Sequence, residues 1–437
     1  MNKVTDTEPK KLNLSEIVAI GVGGMVGGGI FSVLGLSASI AGHASFISFL
    51  FGGIIALLTG FSYAYLGLKY RSEGGSFTYL EKAFSNQNVA AIGGWLLIVG
   101  YLGTLSLYAY TFGAYGGSMI ASAGTKEFII WQHILATFVI LVFMGINLRG
   151  AKVTGTTELI IVAIKVAILA FFSLIALTSI KRELVFPIFN TGFTNVVIAS
   201  ALIFVAYEGF ELIPNAINEI EEPDKNLKRG IIYSIIITAT IYMAVAFVAV
   251  GNLTPAQINQ YKEYALAVAA ETKLHQFGFT LIVIAALFST SSAINATLFG
   301  TARLMYDMAT ERDLPKSFAL KDRRKGVPFV SLLVIGFLSI LFVNLSDLSE
   351  IASFASVTFL VIFSMINLSA IKLRKEIGIY WFWPLIGLIL STFSLIVLLI
   401  YLYKQSIMSF YYITVIYIIV IFIELFLSKR KIIGKQA

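Results

Sequence analysis

The 437-residue chain contains no cysteine. That excludes thiolate nucleophiles, disulfide frameworks and cysteine-based metal sites. Histidine is nearly as scarce: only His43, His133 and His275 occur, no two share a metal-ligand spacing, and the His-Glu-x-x-His motif is missing. All three are read as structural or solvated side chains, so no metal site and no cofactor are expected. Charge is thin as well. Asp, Glu, Lys and Arg make up 13% of the chain against 58% hydrophobic residues, with a mean hydropathy of +0.86, a composition foreign to a water-soluble globule.

Apolar runs take the place of what is missing. Twelve stretches of membrane-crossing length, roughly 20 residues each, follow one another along the chain. They do not alternate as barrel strands would, so the expected fold is an all-α membrane protein with twelve transmembrane helices. The opening MNKVTDTEPKKLNLSE is polar and unlike a cleavable leader. Assigning each Lys and Arg to a side leaves 25 on one, six on the other and Lys165 inside a span. This asymmetry is the positive-inside rule, and it predicts a multi-pass protein of the cell membrane with both termini cytoplasmic. The net charge of +8 is thereby an orientation signal, and no nucleic-acid partner is expected. The dense cluster KSFALKDRRKG, residues 316–326, is read as a cytoplasmic topology determinant, with contact to anionic lipid as the other option.

An ionisable group near the bilayer centre costs at least about 2.5 kcal/mol on insertion scales, and three stand out. Lys165, in ELIIVAIKVAILAFF, lies eight residues into its span from Thr157, roughly 12 Å deep at 1.5 Å per residue. It is either a lysine buried against a carboxylate or a titrating group. Glu208 and Glu211 flank Gly209 in IFVAYEGFELIPNAINEI, with Pro214 just beyond. Glycine and proline weaken a helix, and irregular backbone at membrane depth is tolerated where it lines a cavity. Pairing of one Glu with Lys165 is the plainer account.

The first span carries GVGGMVGGGIF, residues 21–31. Gly23 with Gly27 and Gly24 with Gly28 have the small-xxx-small spacing of close helix packing. The run of three glycines at 27–29 exceeds that need, since each loses about 1 kcal/mol of helix propensity against alanine. Unwinding there would present amide N–H groups at the start of a second half-helix, a ready anion site. A nucleotide loop is excluded, because no Lys-Ser or Lys-Thr follows the glycines. Span eight adds the hydroxyl run FSTSSAINATLFG at 288–300, which either back-bonds within its helix or holds a small cation. Broken first and sixth spans each open a set of five, which implies an inverted repeat. The expected organisation is a tail at 1–13, a five-helix repeat at 14–179, its inverted partner at 195–371, two appended helices at 380–428 and a tail at 429–437.

Four stretches, SEIVAIGVGGMVGGGIFSVLG (15–35), ELIIVAIKVAILAFF (158–172), FVAYEGFELIPNAINEIEEPDKNLKRGI (204–231) and ALFSTSSAINATLFGTARLMYDMATERDLP (286–315), resemble the amino acid-polyamine-organocation (APC) transporter superfamily, and within it the proton-coupled, ApcT-like branch. The resemblance implies discontinuous helices 1 and 6, with substrate at the midplane between them. The substrate carboxylate would meet the amides of Gly27, Gly28 and Gly29; its ammonium would meet the carbonyl of Met25 and the break at Val205, Ala206 and Glu208. Lys165 matches the lysine that stands where sodium-coupled relatives hold a cation. Its implied contacts are Gly23 and Val26 on the first span and Thr290 or Ser291 on the eighth. The expected activity is proton-coupled amino-acid symport; exchange, a cationic amino-acid or polyamine substrate, and a non-transporting sensor or enzyme are the alternatives.

Overall fold

The computed structural model describes residues 11–72, 74–150, 155–322 and 325–434, without the side chains of 155–157 and 427–434. Most of both expected tails, together with Arg323 and Arg324 of the basic cluster, lies outside these residues or their side chains.

The described residues form helices joined by short connections, with one isolated β-bridge between Leu12 and Ile220. In chain order the helices are α1 (Leu14–Met25), α2 (Gly29–Ala41), α3 (Ser45–Tyr70), α4 (Gly75–Ala83), α5 (Gln87–Ser118), α6 (Lys126–Leu148), α7 (Gly155–Ala176), α8 (Phe193–Leu202), α9 (Pro223–Val250), α10 (Pro255–Gln260), α11 (Ala265–Thr310), α12 (Phe329–Leu345), α13 (Leu348–Lys372), α14 (Arg374–Ile377), α15 (Phe382–Gln405) and α16 (Ile407–Gly434).

Local chemistry sets several boundaries. Asn13 and Glu16 form a reciprocal capping box at the start of α1, and Asp347 with Glu350 does the same for α13, each satisfying amides that have no intrahelical partner. Thr125 caps α6, and Pro223 opens α9 at a position where its missing N–H is harmless.

Among the described residues nine helices are long and apolar enough to cross a membrane, or ten with the bent pair around Ile203 counted as one span. One of the nine, Gly29–Tyr70, holds parts of two expected runs, and the shorter apolar helices Leu14–Met25 and Phe329–Leu345 fall on two others. His275, at φ 51°, is non-helical inside α11, so two helical stretches meet there at a kink.

Helices α5 and α13 pack against each other and are buried almost all round, whereas α6, α7, α15 and α16 turn apolar side chains such as Ile130, Phe138, Leu174 and Phe422 outward. An exposed apolar face of that extent is stable against lipid and unstable against water. The molecule is a multi-pass membrane protein. α1 packs against α7, α9 and the 210–219 segment, and α2 packs against α8, which brings the first and sixth spans together.

Candidate functional site

Both glycine-bearing spans are broken. α1 stops at Met25, Val26–Gly28 form a turn, and α2 restarts at Gly29. In the sixth span α8 ends at Leu202, Phe204–Tyr207 make a short 3-10 turn, Glu208 is extended, and Phe210–Glu219 continues as a 3-10 helix containing Pro214. The two halves meet at 55°.

The breaks touch through glycine. Gly209 has φ +127°, a conformation that side-chain-bearing residues avoid. A Cβ on it would come within 2.6 Å of the Gly24 carbonyl carbon, and one on Gly24 within 2.9 Å of the Gly209 Cα. Both glycines therefore serve close packing, and Gly209 also serves the bend.

Unwinding frees carbonyls, and side chains from four other helices answer them. Lys165 of α7 donates to the Gly23 carbonyl at 3.1 Å, Tyr108 of α5 to Gly24 at 3.4 Å, and Ser289 of α11 to Val26 at 2.6 Å. The Tyr242 hydroxyl of α9 lies 2.5 Å from the Met25 carbonyl and 3.0 Å from that of Ala206. One hydroxyl hydrogen serves two acceptors there, so acceptor capacity is left over. At the sixth-span break Ser356 donates to Leu202 at 2.6 Å and accepts from the Val205 amide at 3.0 Å. Glu211 accepts from the Gly209 amide at 2.6 Å, and Tyr101 donates to its other oxygen at 3.5 Å.

Lys165 is 2% exposed and makes no ion pair among the described residues. Of the four positions expected around it, Gly23 carries the contact. The Val26 carbonyl is held by Ser289, Thr290 bonds back to Ala286 at 2.7 Å, and Ser291 opens onto a cavity on another face of α11. Ser289 sits one residue earlier in the same hydroxyl run, a register that sequence alone does not give.

Glu208 is 3% exposed, and its Oε2 has no hydrogen-bond partner among the described residues. The hydroxyls of Thr104 and Tyr108, which also reach the Gly100 and Gly24 carbonyls, stand beside the carboxylate. The carboxylate faces a cavity of about 240 Å³, walled also by Gly23, Gly24, Tyr108, Glu158 and Gly209. Met25, Gly27, Gly28, Gly29, Val205 and Ala206 are buried behind that wall. The reason is steric: the Tyr108 ring covers Gly28, and the Tyr242 hydroxyl and Ala206 close on Gly29.

The cavity continues, through shared walls at Glu158, Glu219 and Ser292, into a space of about 940 Å³ that ends at Lys321 and Lys325. Among the described residues the cavity opens toward the side of Lys321 and Lys325. Toward the other side Tyr115 donates to the Phe31 carbonyl at 3.2 Å, Gly35 abuts the Lys262 backbone, and Glu263 accepts from Tyr110 at 2.7 Å and from Gln132 at 3.3 Å.

A site formed between two interrupted helices, reached from one face through a tapering cavity, defines a membrane carrier. The chain belongs to the amino acid permease family, whose model matches residues 12–423. It is 36% identical over 389 residues to MJ0609 of Methanocaldococcus jannaschii, covering 87% of this chain and 88% of that one. It is 30% identical to the inner membrane transport protein YbaT of Escherichia coli (86% and 87% covered) and 24% identical to the branched-chain amino acid permease BcaP of Bacillus subtilis (84% and 81%). The protein is an amino-acid-permease-type transporter.

Proposed function

We propose that this transporter is a twelve-span amino-acid/proton symporter built on a five-plus-five inverted repeat, with its substrate held between the first and sixth spans and its proton carried by Lys165. The observation that carries the reading is the Lys165 amine, buried, bound to the Gly23 carbonyl beside the first-span break and free of any ion pair among the described residues. A charged ammonium holds that carbonyl by a charge-assisted bond, about twice as strong as its neutral counterpart. Losing the proton loosens α7 from α1, and the charge at the break then follows the proton gradient. Substrate would enter by displacing the Tyr242 hydroxyl from the Met25 and Ala206 carbonyls, with its carboxylate at the free amides that open α2. The reading requires no chemical reaction, and membrane lipid surrounds the carrier. The side bearing Lys321 and Lys325 is assigned to the cytoplasm from the distribution of basic residues.

A cationic substrate is the second reading, favoured by the unpartnered Glu208 oxygen at the cavity wall.

Purified protein in sodium-free liposomes tests the first reading. A pH step, acid outside, should drive accumulation of a labelled amino acid, and a protonophore should abolish it. Lys165→Ala should lose accumulation yet keep substrate binding. Accumulation by the variant with its full pH dependence overturns the assignment, and obligatory exchange without net uptake replaces symport by antiport.

A further inference from the structure

Lys165 itself does not border the cavities, so a proton reaching it from that side needs an intermediate group. Glu158 stands on the same helix seven residues earlier, two turns and about 10.5 Å toward the cavity, on nearly the same face. Both side chains converge on one residue of α1. Lys165 Nζ binds the Gly23 carbonyl, and a Cβ on Gly23 would collide with Glu158 Oε1. The other Glu158 oxygen accepts from Ser292 of α11 at 3.1 Å, which aims the carboxylate. Glu158 is half-buried and lines both the 240 Å³ and the 940 Å³ cavities.

We propose that Glu158 is the relay through which Lys165 exchanges its proton with the cavity; this rests on the proton-coupled reading above. An ammonium N–H of Lys165 breaks and an O–H forms on the Glu158 carboxylate, directly on side-chain movement or through cavity water. The resulting carboxylic acid then returns its proton to water on the open side. No electron changes hands.

The other ionisable groups around Glu158 are placed less well for this step. α1 offers only Glu16, engaged in its N-terminal capping box. α9 carries Asp224, Lys225, Lys228 and Arg229 at its beginning and no charge afterwards. α11 faces Glu158 with Ser292, and its first cation beyond that point is Arg303. Across the cavity Tyr108 and Glu208 stand at the sixth-span break, and Glu219 is exposed at the mouth. Asp307, Tyr306, Lys321 and Lys325 ring the outer space.

Glu158→Gln keeps the volume and an acceptor for Ser292 but cannot carry a proton. Uptake driven by a pH step should fall at least about tenfold, within the range of a lost proton-transfer group, and its pH profile should flatten. Substrate counterflow at equal pH, which moves no net proton, should persist. Glu158→Asp should recover part of the loss. Wild-type pH-driven rate and profile in Glu158→Gln overturn the relay, as does equal loss of counterflow, which marks a structural role. Should Glu158→Gln fail to fold, Ser292→Ala decides: pH-driven uptake is expected to fall with counterflow intact, and an unchanged rate overturns the relay. Wild-type protein that ignores the pH step instead removes the parent reading.

Discussion

At the residue scale, three ionisable side chains visible in the sequence as misplaced receive three treatments. Glu211 is consumed by structure: its carboxylate caps the Gly209 amide and receives Tyr101. Lys165 has one backbone acceptor, and Glu208 keeps an oxygen without any. Burial of a charge without partners is expensive, so an unpartnered carboxylate at a cavity wall should show in selectivity. Glu208→Gln is expected to weaken cationic substrates relative to neutral ones by about tenfold, the equivalent of a charge-assisted hydrogen bond of about 1.5 kcal/mol. A competition panel against a labelled neutral amino acid measures it, and an unchanged ranking makes the residue structural. Tyr108 and Tyr242 were not legible in advance. The chain holds 20 tyrosines, and nothing local distinguishes one that crosses to another helix's broken backbone from one that packs.

At the element scale, the glycine runs announced the first-span break because their loss of helix propensity had no local compensation. The sixth-span break was legible from Gly209, Pro214 and the two acids. Its geometry was not: a 3-10 helix over Phe210–Glu219 and a glycine at positive φ follow from how closely the two spans approach. Gly209→Ala combines a strained backbone with a contact inside 3 Å of backbone atoms, neither of which can yield like a flexible side chain. It should destabilise the protein by about 2 kcal/mol or more, read as a lower unfolding midpoint in detergent. A variant as stable as the wild type would mean that the two breaks separate without penalty. No glycine or proline marks the kink in α11: the positive φ of His275 is imposed where two helical stretches meet.

At the scale of the whole molecule, one side is open and the other shut. The shut side joins Tyr110 of α5, Gln132 of α6 and the 262–264 turn through Glu263, while the Leu12 and Ile220 backbones pair beside the open cavity. The chain's lack of cysteine makes the asymmetry measurable. A single Ala296→Cys, at the shared wall of the cavities, should react with an impermeant thiol reagent applied from the side of Lys321 alone. Ser32→Cys, in the fully buried Ser32–Thr111 pair, should resist reagent from both sides until substrate and a pH step are supplied. Reaction of Ser32→Cys in the resting state from either side would contradict the seal.

Composition and periodicity by themselves determined that this chain lives in a membrane as a helical bundle, that its first and sixth spans break, and that Lys165 and Glu208 stand where charge is costly. Those properties are local: they depend on what a residue does to its own helix and to its own solvation. Which hydroxyl meets which freed carbonyl, that Glu158 and Lys165 converge on Gly23, and which face of the bundle admits water were decided only by tertiary structure. Each depends on the rotation and register of one helix against another, and a 100° turn per residue makes such relations invisible until the helices are packed.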